Sequence, residues 1–284
     1  RIDPKLAAFI DQQTQVASEL IAAMKYSVFG GGKRMRPMLL SIVGEMLNAD
    51  QDDLDVASMS IECIHAYSLI HDDLPAMDDD ELRRGKPTNH IQYGEATAIL
   101  AGDALQTLAF EIVLNHELSK QNSPKRIEMA RVIAKASGIN GMCAGQSIDL
   151  IATGKQISLA QLTQLHQLKT GAVLSACVSL GAILAPSIDD EHIQLLQKYA
   201  QNIGLAFQVQ DDILDVISDS ATLGKPQGSD SALDKNTFVS HLGLEGSQVF
   251  LQKLHAEALN AIASLPYDTQ HLKAFTDYLV TRKY

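Results

Sequence analysis

The chain has 284 residues, 46% of them hydrophobic, which is enough apolar material for a substantial core. Its formal net charge of −11 argues against nucleic acid or an anionic membrane as the main partner. Cys63, Cys143 and Cys177 lie in apolar stretches without CxxC spacing, so they read as buried thiols of a reducing compartment, not as disulfides or a zinc site. No stretch approaches the roughly 18–20 uninterrupted apolar residues of a membrane span. No signal peptide is legible, so no stable membrane insertion and a cytoplasmic location are expected.

Helical periodicity runs through almost the whole chain and predicts helices over about 3–25, 36–48, 52–74, 92–117, 125–142, 158–184, 190–218, 243–264 and 268–282. Pro4, Pro124 and Pro186 stand where helices start or stop. Strand signals are nearly absent. Polar, glycine-bearing, charged loops interrupt the pattern at 29–34, 78–89 and 223–236. No long repeat, linker or break in composition divides the chain, so a single all-α domain over 1–284 is the expectation. Gly102, Gly138, Gly141, Gly145, Gly171, Gly181 and Gly204 recur in apolar helices. Each costs up to ~1 kcal/mol there, which points to close helix packing. Gly171 and Gly204 also neighbour polar candidates and can leave room for a ligand.

The first loop, Gly30-Gly31-Gly32-Lys33-Arg34-Met35-Arg36-Pro37, lacks the nucleotide pattern GxxxxGK[ST] because Arg34 follows the lysine. Three glycines and three cations before a helix still suit an anion, although an ordinary basic turn explains them equally well. His65 and His71 lie on the helix leading into the first acidic cluster, Asp72-Asp73-Leu74-Pro75-Ala76-Met77-Asp78, and taken alone they read as core or hydrogen-bonding histidines. A strict helix would turn Asp78 away from Asp72. Pro75 disturbs that turn and lets the chain bend back. Six of the ten residues from Asp72 to Glu81 are acidic, so an acidic surface loop is the bland account, and Asp79, Asp80 and Glu81 fit it. Arg83 and Arg84 directly afterwards favour a mixed site of metal ions and guanidinium forks.

Lys169 and Thr170 sit in a helical segment ending at Gly171, where a lysine is usually a solvated surface residue. The second cluster, Asp211-Asp212-Ile213-Leu214-Asp215, places Asp211 and Asp215 on one helix face, with Gln208 one turn earlier. Ile203, Ala206, Ile213, Leu214 and Val216 surround it, which makes a solvated acidic face a poor account. Crowded carboxylates in apolar surroundings need compensating cations. Hard oxygen ligands at this density suit Mg²⁺ completed by phosphate oxygens. Two facing clusters would clamp a polyphosphate.

The segments GGGKRMRP, DDLPAMD with RRGKPT, KTG, and GLAFQVQDDILDV with LGKPQG together resemble the trans-isoprenyl diphosphate synthase family, most closely its bacterial farnesyl-forming members. The likeness runs in order from Gly30 to the C-terminus. It implies a bundle of about ten helices around a deep central cavity, and a homodimer. It implies Asp72, Asp78 and Asp211 as principal Mg²⁺ ligands, Asp73 and Asp215 in support, three ions, and Mn²⁺ as an alternative. Arg83, Lys169, Thr170, Gln208, Lys225 and Lys235 would hold an allylic diphosphate. Lys33, Arg36, His65 and Arg84 would hold isopentenyl diphosphate. Their condensation would give mainly farnesyl diphosphate from dimethylallyl or geranyl primers. Ser68 and Tyr67, four and five residues before Asp72, stand where the family sets product length. The chain departs from the family pattern at Lys235-Asn236-Thr237-Phe238-Val239, where Tyr-Pro more often follows the threonine.

Other readings are separable. A class I terpene cyclase usually carries an NSE-type second motif, and here the second motif is again DDxxD. A silent partner subunit typically loses aspartates in one motif, whereas both are intact. A calcium buffer would have no use for the flanking arginines. Geranyl or geranylgeranyl diphosphate as product is the nearest alternative to farnesyl.

Overall fold

The computed structural model describes residues 1–13, 15–218 and 235–282. In chain order the α-helices are α1 (Ile2–Asp11), α2 (Ser18–Val28), α3 (Met35–Met46), α4 (Gln51–Asp72), α5 (Asn89–Tyr93), α6 (Glu95–Asn115) and α7 (Arg126–Ser137). They continue as α8 (Met142–Ala152), α9 (Leu159–His166), α10 (Ala172–Leu184), α11 (Asp190–Ile217), α12 (Phe238–Ala263) and α13 (Gln270–Thr281). A π-helical turn, Gln167–Gly171, joins α9 to α10. One two-stranded hairpin, β1 (Leu82–Arg83) and β2 (Lys86–Pro87), is present among the described residues, so the near-absence of strand signals is matched.

Several boundaries differ from the periodicity. The stretch 3–25 is two helices, because the polar residues Gln12 and Gln13 leave the apolar stripe after Asp11. The stretch 92–117 breaks at Gly94, whose φ of 84° only glycine adopts readily. Helix α7 ends at Ser137, five residues before the expected stop, and α8 occupies a segment in which no helix is expected from the pattern. Helix α12 gains a short opening turn at Phe238, where Thr237 and Ser240 form a capping box, but it kinks at Gly243 (φ 71°), so its long run begins where the periodicity expects it.

Helix α4 is buried on nearly every face, which explains why it lacks a one-sided apolar stripe. It packs along α6 and α3, while α11 packs along α12 and α10. Its polar side chains are satisfied inside the core. Asp50 caps the helix by accepting from the N–H groups of Asp52 and Asp53. Asp53 accepts from Ser119 N, Ser119 Oγ and Asn122 Nδ2 at 2.8, 2.6 and 2.7 Å. Asp55 accepts from Arg1 and Lys5, and Glu62 from Arg34.

Two segments, Glu95–Asn115 and Leu159–Leu184, are long and apolar enough to cross a membrane by length and composition. They are more apolar than the search for uninterrupted runs indicates, and their packing along α4 and α3 accounts for that character. Of the three cysteines, Cys63 and Cys177 are buried as expected. Cys143 is exposed, a correction that follows from its place on the unanticipated α8.

Candidate active site

Helix α4 ends at Asp72, and Asp211 and Asp215 lie in the last two turns of α11. Carboxylates at helix C-termini oppose the helix dipole, so both clusters sit where only nearby cations make them tolerable. After Asp72 the chain turns back, and the Asp78 N–H donates to the Asp72 carbonyl at 3.0 Å. The bend expected of the Pro75 segment is therefore present. Burial raises the Asp72 carboxyl above the ordinary carboxylate range, and neighbouring Asp78 pushes it further, against the pull of Lys169, Arg83 and Lys235.

One cavity of about 990 Å³ gathers most of the candidates: Lys33, Arg36, His65, Tyr67, Ser68, Asp72, Arg83, Arg84, Lys169, Thr170, Gln208 and Asp211. Asp215 and Lys235 line a second cavity of about 810 Å³ together with Asp212. Asp73 and Asp78 line neither. Asp73 is only 3% exposed and holds Arg83, whose Nε and Nη2 donate to its Oδ1 at 2.8 and 2.5 Å. Burial alone would lower Arg83, but the bond from Asp73 raises it overall, so this guanidinium is a fixed cation at the cavity wall. Asp78 accepts from Lys235 at 2.9 Å. Lys225 lies outside the described residues.

The acids of the second cluster divide by direction. Asp211 faces the cavity and accepts from Arg282 Nη2 at 2.7 Å. Asp212 turns inward, accepting from Gln208 Nε2 at 2.9 Å and from the Phe238 N–H at the start of α12 at 2.7 Å. Gln208 in turn accepts from Thr170 Oγ1 at 3.3 Å, so Thr170, Gln208 and Asp212 form one oriented chain. Ile203, Ala206, Ile213 and Leu214 are buried around it as expected, while Val216 is exposed.

Glycines permit these approaches. A Cβ at Gly204 would lie 2.8 Å from the Gly171 Cα, and one at Gly145 would lie 2.2 Å from the Lys169 N. Helices α8 and α11 thus come directly against the π-turn that carries Lys169 and Thr170, and close packing is the role these glycines serve.

The cations of the glycine-rich loop separate into structural and open groups. Arg34 is spent on Asp3, Glu62 and the Val28 carbonyl. The Arg84 guanidinium donates to the Gly31 carbonyl and lies over Gly32, where any Cβ would meet it at 2.8 Å. Arg36 Nη1 lies 3.3 Å from His65 Nε2, while Arg36 Nε is buried with no hydrogen-bond partner among the described residues. A guanidinium can only donate, so His65 must accept as a neutral ring. Burial, reinforced by Arg36 and Arg84, indeed holds His65 well below its ordinary value.

Four participants have no forewarning in the sequence reading. Gln146 of α8 donates to Asp72 Oδ1, and Asp149 accepts from Lys169 Nζ at 2.6 Å. Cys143 lines the cavity from the first turn of the same helix. Arg282 is 8% exposed, lies 4.4 Å over the Phe207 ring and pairs with Asp211. The i, i+3 spacing of Gln146 and Asp149 was a usable signal, but Arg282 offered none.

Among the described residues no three Asp, Glu, His or Cys side chains are grouped closely enough to hold a metal ion by themselves. The donor set is nevertheless all hard carboxylate oxygen, split between two helices. That fits Mg²⁺, which keeps waters and is usually completed by phosphate oxygens, better than an ion needing a full protein cage.

The polyprenyl synthetase family profile matches residues 17–274. The farnesyl diphosphate synthase of Haemophilus influenzae is 51% identical over 265 residues, covering 93% of this chain and 89% of that one. That of Escherichia coli is 48% identical, covering 98% of both. A geranyltransferase from Helicobacter pylori, solved in complex with magnesium and isoprenyl diphosphate, superposes with a TM-score of 0.85 at 36% identity, covering 98% of this chain and 94% of that one. With this match over most of its length, the chain belongs to the polyprenyl synthetase family.

Proposed function

We propose that this protein is a trans-prenyltransferase condensing isopentenyl diphosphate with dimethylallyl or geranyl diphosphate to give mainly farnesyl diphosphate. The observation that carries the reading is the cavity in which acids from α4 and α11 meet several cations, with the apolar side chains of Leu69, Met142, Leu150 and Phe207 in the same lining. The family likeness supplies the division of labour. Arg83, Lys169 and Gln208, with Thr170, Lys225 and Lys235, would bind the allylic diphosphate. Lys33, Arg36 and Arg84, with neutral His65, would bind isopentenyl diphosphate.

Magnesium, when bound, would neutralise the departing diphosphate. Asp72, Asp78 and Asp211 would hold it, with Asp73 and Asp215 in support, and the family likeness carries three ions with Mn²⁺ as an alternative. The protein's own part is electrostatic and positional. The allylic C–O bond breaks with its electron pair going to diphosphate, and Arg83, held by Asp73, is a preorganised charge for that anion. The oriented Thr170–Gln208–Asp212 chain fixes oxygen dipoles in the wall beside the resulting carbocation. The double bond of isopentenyl diphosphate attacks it, a C–C bond forms, and the released proton passes to the departed diphosphate.

Tyr67 lies five residues before Asp72, about 7–8 Å along the helix at 1.5 Å per residue, and we assign it as the floor against which the growing chain stops. The protein would act as a cytoplasmic homodimer of single-domain subunits. The exposed Ile99, Leu100 and Leu114 of α6 supply an apolar face suited to self-association.

The test is the product profile of the purified enzyme with Mg²⁺, isopentenyl diphosphate and primers of increasing length. A fifteen-carbon diphosphate is expected. A twenty-carbon main product would refute the farnesyl assignment, and cyclised hydrocarbons would refute the transferase. Tyr67→Ala should lengthen the product by one or more five-carbon units.

A further inference from the structure

Tyr67 is not held by its own helix alone. Its hydroxyl lies 3.7 Å from Cys143 Sγ, in the first turn of α8. The edge of the ring meets His71 with centroids 5.8 Å apart. Helices α4 and α8 therefore meet at one phenol, which is 4% exposed. Tyr67 and Cys143 both line the main cavity, and Cys143 is the one exposed thiol of the three. A tyrosine fixed only by backbone and χ angles can swing aside when a growing hydrocarbon presses on it. One whose hydroxyl is tied to another helix loses that freedom.

Resting on the reading of Tyr67 as the floor, we infer that Cys143 is a positioning residue for product length, its thiol pinning the Tyr67 hydroxyl across the end of the channel. Floor strength then depends on the contact between α4 and α8 as well as on the bulk of the ring. A weak polar contact of this kind shifts a partition between stopping and extending by roughly two- to tenfold.

The experiment compares products of Tyr67→Ala, Tyr67→Phe, Cys143→Ala and the Tyr67→Phe/Cys143→Ala double variant, each checked for helical content by circular dichroism. Tyr67→Ala tests the floor itself. Tyr67→Phe and Cys143→Ala should each raise the ratio of twenty- to fifteen-carbon product about two- to tenfold. The double variant should add little to either, the mark of one shared interaction. If Tyr67→Ala lengthens the product while Cys143→Ala and Tyr67→Phe match wild type, the floor stands and the pinning is overturned. If Tyr67→Ala leaves chain length unchanged, the floor reading fails and the inference fails with it.

A second readout uses chemistry. Maleimide should label Cys143 and spare Cys63 and Cys177, each 0% exposed. The adduct, projecting into the channel, should shift the product towards ten carbons. Unchanged products from fully labelled enzyme would overturn the placement of Cys143 at the channel end.

Discussion

Arg36 stands in the first turn of α3, where the helix dipole disfavours a cation by roughly 0.3–1 kcal/mol. Among the described residues its Nε is buried without a partner, and its Nη1 has only the neutral ring of His65. Burial lowers the guanidinium from its ordinary value, with Glu62 and Asp211 offsetting this only through space. Only these distant carboxylates offset that cost in the free protein, so Arg36→Met, which keeps most of the apolar stem and deletes the charge, should stabilise the fold. Arg36 as a whole is only half-buried, so the gain stays at the low end of the values for removing buried charge, about 1–2 kcal/mol. For a chain of this size that is a rise in Tm of about 2–8 °C. The same change removes a charge-assisted contact of roughly 1.5–3 kcal/mol to isopentenyl diphosphate, equivalent to about a 10- to 150-fold increase in KM. Calorimetry without substrate and initial rates with isopentenyl diphosphate varied at saturating geranyl diphosphate measure the two effects. A lower Tm, or an isopentenyl KM within twofold of wild type, would refute the reasoning that Arg36 is held for a ligand.

Asp72→Asn should cut kcat by at least about 100-fold while leaving the circular dichroism spectrum unchanged, because its carboxylate serves transition-state charge and not core packing. Gly204→Ala should cost about 1–3 kcal/mol in urea unfolding and lower kcat, since its Cβ would meet the Gly171 Cα at 2.8 Å and drive α11 off the turn bearing Thr170. His166 is buried, neither ring nitrogen is hydrogen-bonded among the described residues, and burial pushes it down to about 4. Between its ordinary value near 6.5 and about 4 the unfolded chain binds the extra proton, so stability should fall as pH drops through that window, by roughly 3 kcal/mol in total. His166→Leu should flatten that part of the urea-midpoint-versus-pH curve, and an unchanged slope would remove His166 as its source.

Helix content was legible because apolar periodicity is a local signal, and the ends of α3, α4 and α11 fall within two residues of their expected positions. Helix α8 was not legible, for a physical reason. Gly145 dilutes its helical propensity, yet it is required because α8 presses directly on the backbone at Lys169. Tertiary packing overrides local preference there, and the residues lost with the helix were Cys143, Gln146 and Asp149. The π-turn at Gln167–Gly171 was equally hidden, although it decides how Lys169 and Thr170 enter the cavity.

The candidate site shows the same division between local and remote information. Clustered carboxylates after apolar stretches announce a charge that must be neutralised, so Asp72, Asp78 and Asp211 stood out at once. The groups that meet them come from far along the chain. Asp211 pairs with Arg282 across 71 positions, Asp78 with Lys235 across 157, and Asp72 accepts from Gln146 across 74. Asp73 is the exception that makes the point, because its partner Arg83 is only ten residues away in the same local motif. A buried pair gains little net energy over an apolar alternative but loses much if one member is removed. The fold therefore constrains where each neutralising cation stands without marking its position in the local sequence. Local sequence pattern could name the acids of this site; only the packing of α8, α13 and the segment before α12 onto α4 and α11 could name their partners.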